Sequence, residues 1–528
     1  MTVMEHARTR VGQGYGLLRQ GRTEDAATLA RELLAAFPDD VDALVLAGEV
    51  AVARGQFEEA VDPMLRAIAA SGGDDALRIK LAGLYLHLRR RNDARALALE
   101  VATSAQARGD GRSLWQAASI ITNCNRPAEA IAHYRQARAL LGEQPGLLYD
   151  LAVAQFFTGG FDEAEAELDR MLALVPQAGH ALYLRSTLRR QTAADNHVDA
   201  LRTRIAAGLG RPEWTAAAWY ALAKELEDLG EHDDAFEALE TGARLQRQTL
   251  QYDIQSECDA QAAIRAAYTA EVMQSAPESS ADTGPIFIVG MPRTGTTLVE
   301  RILVQGGQVK SAGEPLDLGQ LIAAYTRRAQ SLHPDLSAAE ASLRIDADAL
   351  GRDYRRGVAE AAGAARFIDK LPVNYMYCGV IRRALPDARI IHLQRDPLDS
   401  CYAVYKTLFF NAYHCSYDLD ELARYYLAYR QTMDQWHAVM PGAILDVRYE
   451  DVVADPDGQA RRVLEWCGLP WDPDAAYGTA PAAAAFTTAS AAQVREPVHA
   501  RSVGSSRRHL DRLAPLVERL ASGGVSVD

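Results

Sequence analysis

The sequence predicts an α + α/β protein, an all-α repeat solenoid followed by an α/β domain with a central parallel sheet. Three observations carry this. A short phrase closing on alanine recurs about every 34 residues up to residue 245. Beyond 285, short β-branched runs alternate with helical stretches. Between them, at 285–303, PIFIVGMPRTGTTLVERIL joins an apolar strand to a helix through a glycine-bounded turn. The chain has 528 residues, 48% hydrophobic and 24% charged, which is ordinary for folded soluble protein and rules out wholesale disorder. A net charge of −14, spread over both halves, argues against a general nucleic-acid binder.

The recurring phrase reads GRTEDA, GQFEEA, RRRNDA, NRPAEA, GGFDEA, DNHVDA and GEHDDA, with closing alanines at 26, 60, 94, 130, 164, 200 and 235. A period near 34 without strand-type alternation is that of tetratricopeptide repeats, two helices per unit. Seven helix pairs are expected over 1–245, the third and sixth being the most degenerate. Gly21, Gly55 and Gly230 suit the turn inside a pair, and the small alanine lets its helices approach. Such an array serves as a scaffold, as a homodimer face, or as a groove for a protein or peptide partner. Tyr149, Phe156, Phe157, Trp219 and Tyr220 would line that groove or form the core between repeats. Residues 246–273 still read helical as a cap, and the Ser-, Ala- and Pro-rich stretch to 284 marks a boundary.

The six cysteines form no C-x-x-C pair, so they read as reduced thiols and not as disulfides or a zinc site. No apolar signal core opens the chain and no run reaches 18 apolar residues. A cytoplasmic protein without a membrane span is expected.

In the second half, Ile286–Val289, 366–369, 388–394 and 443–449 are strand candidates, separated by helical stretches at 344–363, 374–385, 398–409, 418–440 and 454–468. That alternation predicts a parallel sheet with ligands at the carboxyl ends of its strands. Arg293, Lys370, Arg395 and Glu450 each follow a strand, so all four converge on that edge. The turn from Gly290 to Gly295 ends at the start of a helix, where free N–H groups and the helix dipole favour an anion. It is P-loop-like but no Walker A loop, because Thr296 stands where that pattern needs lysine. A phosphate-type ligand is expected and an ordinary Mg²⁺-nucleotide is not. His392, inside an apolar strand, reads as a hydrogen-bonded core histidine, and Asp369 as orienting Lys370 or capping a turn.

IVGMPRTGTTLVERIL, AGEPLDLG, IDKLPVNY, IIHLQRDPLDSCYAVYK and VRYEDVVADPDGQARRVLEWCGLPW resemble successive blocks of the sulfotransferases that use 3′-phosphoadenosine-5′-phosphosulfate (PAPS). The resemblance covers 285–520 and is strongest to bacterial tetratricopeptide-repeat sulfotransferases, related to tyrosylprotein sulfotransferase. It implies a sulfotransferase domain at 285–528. Arg293, Thr294, Gly295, Thr296 and Thr297 would cradle the 5′-phosphosulfate, and Arg395 would hold the 3′-phosphate. The serine that the family keeps eight residues after that arginine is Ala403 here, with Ser400 one turn earlier as its substitute. Tyr449 matches a position near the nucleotide, Glu314 the general base, Lys370 the catalytic lysine, and Ser490 a serine near the bridging oxygen. Arg501 and Ser502 match a segment that closes over the 3′-phosphate, although Gly504-Ser505-Ser506 depart from its pattern.

The chemistry asks for the same residue types. In-line sulfuryl transfer needs a carboxylate to take the acceptor proton and fixed cations for the charge on the leaving phosphate. Arg293 and Lys370 would supply that charge without a metal. The implied acceptor is a hydroxyl of a peptide, saccharide or small molecule. A P-loop kinase, or a non-catalytic scaffold with a degenerate nucleotide module, are the rival readings. The aromatics Tyr402, Tyr405, Phe409, Phe410 and Tyr413 have helix-like spacing, as core or as an acceptor wall.

Overall fold

The computed structural model describes residues 3–277, 283–364, 366–474 and 498–527. They form two compact units, Met1–Gln155 and Phe156–Asp528. Among the described residues the chain makes seven consecutive helix pairs before the sheet begins.

The first unit holds four complete pairs, from Val3–Arg19 with Thr23–Ala36 to Gly111–Asn123 with Pro127–Leu141. Aspartates start three of its helices. Asp40, Asp74 and Asp110 each accept backbone N–H groups of the first turn that have no partner within the helix. The phrase-closing alanines 26, 60, 94 and 130 are all fully buried, so each is the point where neighbouring helices touch. Turns inside the pairs need a left-handed residue. Glycine supplies it at 21 and 55, whereas Arg89 and Asn125 adopt it in the third and fourth pairs. The third phrase looks degenerate because this glycine is missing.

The second unit continues with Phe161–Leu174, then Gly179–Thr187 with Val198–Ala207, and Pro212–Leu229 with His232–Gln248. The sixth pair has no tight turn. Residues 188–197 form a longer connection closed by a bridge between Thr192 and Asp195. Glu225, fully buried, receives Ser186 Oγ at 2.6 Å, His197 Nδ1 at 3.0 Å and the His197 N–H at 2.6 Å, and so fastens that connection. Ala200 is exposed. Phe156 and Tyr220 are buried, so these two aromatics are core and line no groove.

Five strands follow: β1 Ile286–Gly290, β2 Lys310–Ser311, β3 Phe367–Asp369, β4 Arg389–Gln394 and β5 Ile444–Arg448. They build one parallel sheet in the order β2-β3-β1-β4-β5, with Phe287 opposite Ile390 and His392 opposite Asp446. β2 has two residues and no β-branched side chain, which is why no strand is expected there from sequence. β1 is central and buried throughout, as its unbroken apolar run requires. On one face Ile286, Ile288, Ile391, Leu393 and Val447 meet Val299, Ile302 and Leu303 of helix Thr296–Val304. On the other, Phe287 stacks on Tyr354 at 5.7 Å, and His392 reaches Tyr429 of helix Leu419–Val439 at 2.5 Å. Helix Ile254–Ala267 lies on that same helix, with Arg265 Nη1 donating to Thr432 Oγ1 at 3.2 Å.

Two helices are shorter than expected. The stretch expected at 374–385 opens as a 3₁₀ turn, Pro372–Tyr377, before helix Cys378–Ala384. The one expected at 398–409 stops at Tyr405. Phe409, Phe410 and Tyr413 therefore lie in a loop and not on a helix face. Side chains cause the stop: Tyr183 and Tyr417 hydroxyls take the N–H groups of Leu408 and Phe409 at 3.1 and 3.0 Å.

The repeat register can be tested directly. Ala130→Leu should destabilise the protein by about 1–3 kcal/mol through overpacking, whereas Ala200→Leu should leave the thermal midpoint unchanged. Equal effects in a melting experiment would refute the assignment of the closing alanine as the helix contact.

Candidate active site

The loop after β1 is shaped by its backbone. Gly290, Arg293 and Gly295 have φ of 144°, 65° and 98°. A Cβ on Gly295 would lie 2.6 Å from the Tyr449 ring, so only glycine lets that ring close the loop. Arg293 carries a side chain in the left-handed region, a strain of about 1–2 kcal/mol that such sites retain. The Thr294 hydroxyl donates to the Met291 carbonyl at 2.7 Å and is used inside the loop. Thr296 and Thr297 are buried in the first turn of helix Thr296–Val304, whose leading N–H groups face the loop.

Arg395, at the end of β4, draws four segments together. Its Nη1 donates to the Arg293 carbonyl at 3.1 Å, its Nη2 to the Ser502 carbonyl, and its guanidinium lies 4.8 Å over the Tyr449 ring. Arg395 is buried, and its Nε has no hydrogen-bond partner among the described residues. Burial lowers Arg293 below its ordinary pKa; Tyr183 opposes this, Arg395 adds to it, and Glu314 and Tyr449 oppose it. Five groups from five segments thus share one electrostatic neighbourhood.

Lys370 is 1% exposed and held between two carboxylates. Its Nζ donates to Glu314 Oε1 and lies 3.8 Å from Glu300 Oε2. Its N–H reaches the Gly313 carbonyl at 2.9 Å, tying the end of β3 to the Glu314 turn. Glu300 is buried, raised above the usual carboxylate range by that burial, and hydrogen-bonded by the Ser311 hydroxyl. Glu314 is the partly exposed member, with 36% of its side chain accessible. Asp369 does not touch the lysine ammonium. It accepts the Leu371 N–H at 3.1 Å, Asn374 Nδ2 at 3.0 Å and the Tyr354 hydroxyl at 2.5 Å, and so caps the turn that aims Lys370.

The Ser400 hydroxyl is buried and donates to the Arg395 carbonyl at 3.4 Å. Ser502 meets Arg395 through its backbone carbonyl, and Arg501 is exposed. Ser490 lies outside the described residues. Glu450 accepts the Asp396 N–H at 2.9 Å, a structural use of the fourth charged strand end.

Three residues escaped the sequence reading. Glu300 shares Lys370, yet in sequence it is an ordinary helix glutamate. Asp399 accepts Gly504 N–H at 2.6 Å and Ser506 N–H and Oγ at 2.9 and 2.7 Å; the second aspartate of R-D-P-x-D was its only signal. Tyr183 comes from the repeats, and nothing local could mark it. Elsewhere, His392, His437 and Asp446 bring their donor atoms within 4.8 Å of one another. They are already engaged, both imidazoles facing Asp446 Oδ1 at 2.7 and 3.1 Å.

Burial pushes Asp369 up to about 8, against the lowering effect of its bonds from Tyr354 and the Leu371 N–H. Its unfolded value is about 3.9, so the folded state holds the proton more tightly. The resulting stabilisation is complete below about pH 4 and is lost as pH rises toward 8. Asp369→Asn should flatten the melting temperature against pH across that window, and an unaltered slope would show that Asp369 is ionised throughout.

Residues 285–473 match the sulfotransferase family, and residues 11–75, 125–188 and 216–249 match tetratricopeptide repeats. An uncharacterized protein of Aquifex aeolicus is 28% identical over 413 residues, 76% of this chain and 54% of that protein. Protein-tyrosine sulfotransferase A of Caenorhabditis elegans is 23% identical over 194 residues, 35% of this chain and 50% of that one. The omega-hydroxy-beta-dihydromenaquinone-9 sulfotransferase of Mycobacterium bovis is 31% identical over 108 residues, 19% of this chain and 28% of that one. The chain spans about half the length, or less, of these curated relatives. No described helix is long and apolar enough to cross a membrane. The chain combines tetratricopeptide repeats with a sulfotransferase-family domain that carries the Arg293 loop, Lys370 and Arg395.

Proposed function

We propose that this chain is a PAPS-dependent sulfotransferase that moves a sulfuryl group to an acceptor hydroxyl by in-line displacement, its repeats occupying 1–245, a cap and linker 246–284 and the catalytic domain 285–528. What supports this most is Arg395, buried beside the Arg293 loop with an Nε that has no partner among the described residues, a donor suited to a phosphate oxygen. The Gly295 cradle under Tyr449 suits a nucleotide lying across the same edge. PAPS, when bound, supplies the activated sulfur and a phosphate leaving group.

The chain's residues divide the remaining work. Glu314 takes the acceptor proton as the acceptor oxygen bonds to sulfur. The bond from sulfur to the bridging oxygen breaks, and its electron pair stays on the departing phosphate. Lys370 and Arg293 face that charge, and the reaction so written needs no metal. The Thr296 and Thr297 N–H groups, with Thr294 and Gly295 shaping the loop, hold the 5′ end. Arg395, steadied by Ser400 and Ser502, holds the 3′-phosphate, with Arg501 at its outer edge and Tyr449 beneath it. Ser490 keeps its proposed place near the bridging oxygen. The acceptor is a peptide, saccharide or small-molecule hydroxyl, and the repeats suit a protein partner or a second copy of the chain. All six cysteines are free thiols, which supports a reducing compartment such as the cytoplasm.

Adenosine 3′,5′-bisphosphate at 100 times its dissociation constant should stabilise the protein by about 2.7 kcal/mol, and Arg395→Ala should abolish most of that rise. A melting curve indifferent to the nucleotide would defeat the reading. Glu314→Gln should keep the nucleotide-induced rise and lose transfer of label from PAPS by about 10²–10⁴-fold; undiminished transfer would remove Glu314 as the base.

A further inference from the structure

We propose that the last two repeats form part of the transfer site, with Tyr183 as the positioning residue that sets the loop 406–413 on the acceptor side. The proposal rests on the sulfotransferase reading above and extends it to the repeat module, whose helices Gly179–Thr187 and Pro212–Leu229 belong to the same compact unit as the sheet.

Three polar contacts join these helices to the segment that follows helix Pro397–Tyr405. The Tyr220 hydroxyl donates to the Tyr405 carbonyl at 3.1 Å, fully within the core. The Tyr183 hydroxyl accepts the Leu408 N–H at 3.1 Å. Glu227 binds Lys406 Nζ at 2.8 and 3.1 Å. Apolar contacts run alongside: Phe236 stacks on Tyr402 at 6.2 Å, and Tyr183 meets Phe410 edge-on at 6.1 Å.

The loop itself is unusual. Phe410 and Tyr413 both have positive φ, 55° and 48°, at non-glycine positions. Two aromatic residues in that region persist only where surrounding contacts over-determine them. Part of that fixing comes from the repeats, since Leu408 gives its N–H to Tyr183, while Tyr417 takes the N–H of Phe409. One end of the loop therefore answers to the repeats, while its other end answers to the proposed base: burial, and next the charge of Glu314, raise Tyr413. Tyr183 in turn lies in the field of Arg293. Phe410 is 39% exposed beside Tyr183, and Leu316, two residues from Glu314, is 59% exposed. An acceptor hydroxyl carried on an apolar or aromatic body fits those surfaces.

The test uses the full chain with Tyr183→Phe, which deletes the acceptor oxygen and keeps the ring. Labelled PAPS is the donor, and a cell-extract fraction that accepts label is titrated by dilution. The half-saturating amount of that fraction should rise about tenfold, the scale set by one buried hydrogen bond no longer holding the loop in its acceptor-binding shape. The half-saturating PAPS concentration and the stabilisation by adenosine 3′,5′-bisphosphate should stay within twofold. Glu227→Gln, which weakens the same anchor from the outside, should move acceptor saturation the same way by a smaller factor. A purely structural role would lower the melting temperature or the amount of active enzyme and leave acceptor saturation unmoved, and that result overturns the proposal. Donor and acceptor saturation shifting together overturns it as well. Failure of the underlying reading looks different, because the unaltered protein would then neither transfer label nor respond to the bisphosphate, and both proposals would fall.

Discussion

The guanidinium of Arg395 is the interaction on which the second unit's functional edge depends. It is buried, and within hydrogen-bond or stacking distance it holds the loop after β1, the residue after β5 and the C-terminal segment at Ser502. Tyr449 also packs directly on Gly295, and Asp399 separately fastens the segment after Ser502. Burial disfavours the charge of Arg293, whose pKa is lowered accordingly.

Lys370 works under the opposite arrangement. Two carboxylates flank one ammonium, one of them buried in helix Thr296–Val304 and the other partly exposed. The hydrogen bond goes to the exposed carboxylate, Glu314, while Glu300 lies behind the ammonium at 3.8 Å.

What was legible in the sequence followed from short-range physics. The repeats announce themselves because six of the seven phrases bury their closing alanine at the same point of a hairpin, and four strands show because β1, β3, β4 and β5 are apolar runs ended by charge. Arg293, Lys370 and Arg395 could be read because a strand's end fixes where the next residue goes. What stayed hidden depends on distance along the chain. Tyr220 and Tyr405 are 185 residues apart, and Tyr183 and Leu408 are 225 apart. Gly504, Ser505 and Ser506 looked like a lapse from the family pattern, yet Asp399 receives the backbone N–H groups of Gly504 and Ser506 and both serine hydroxyls. The helix expected to run to 409 failed because side-chain hydroxyls claimed its N–H groups, a competition that no local propensity expresses.

The bond between Tyr220 and the Tyr405 carbonyl bears on how such a protein can evolve. A crossover at the Ser- and Pro-rich stretch before Pro285 would give the sheet a foreign set of repeats, and with them foreign partners for the loop after Tyr405. Helix Ile254–Ala267, already laid on Leu419–Val439, would be lost in the same event. The heritable module is therefore larger than the sheet and its helices: it reaches back at least to Gly179, where the helix that carries Tyr183 begins.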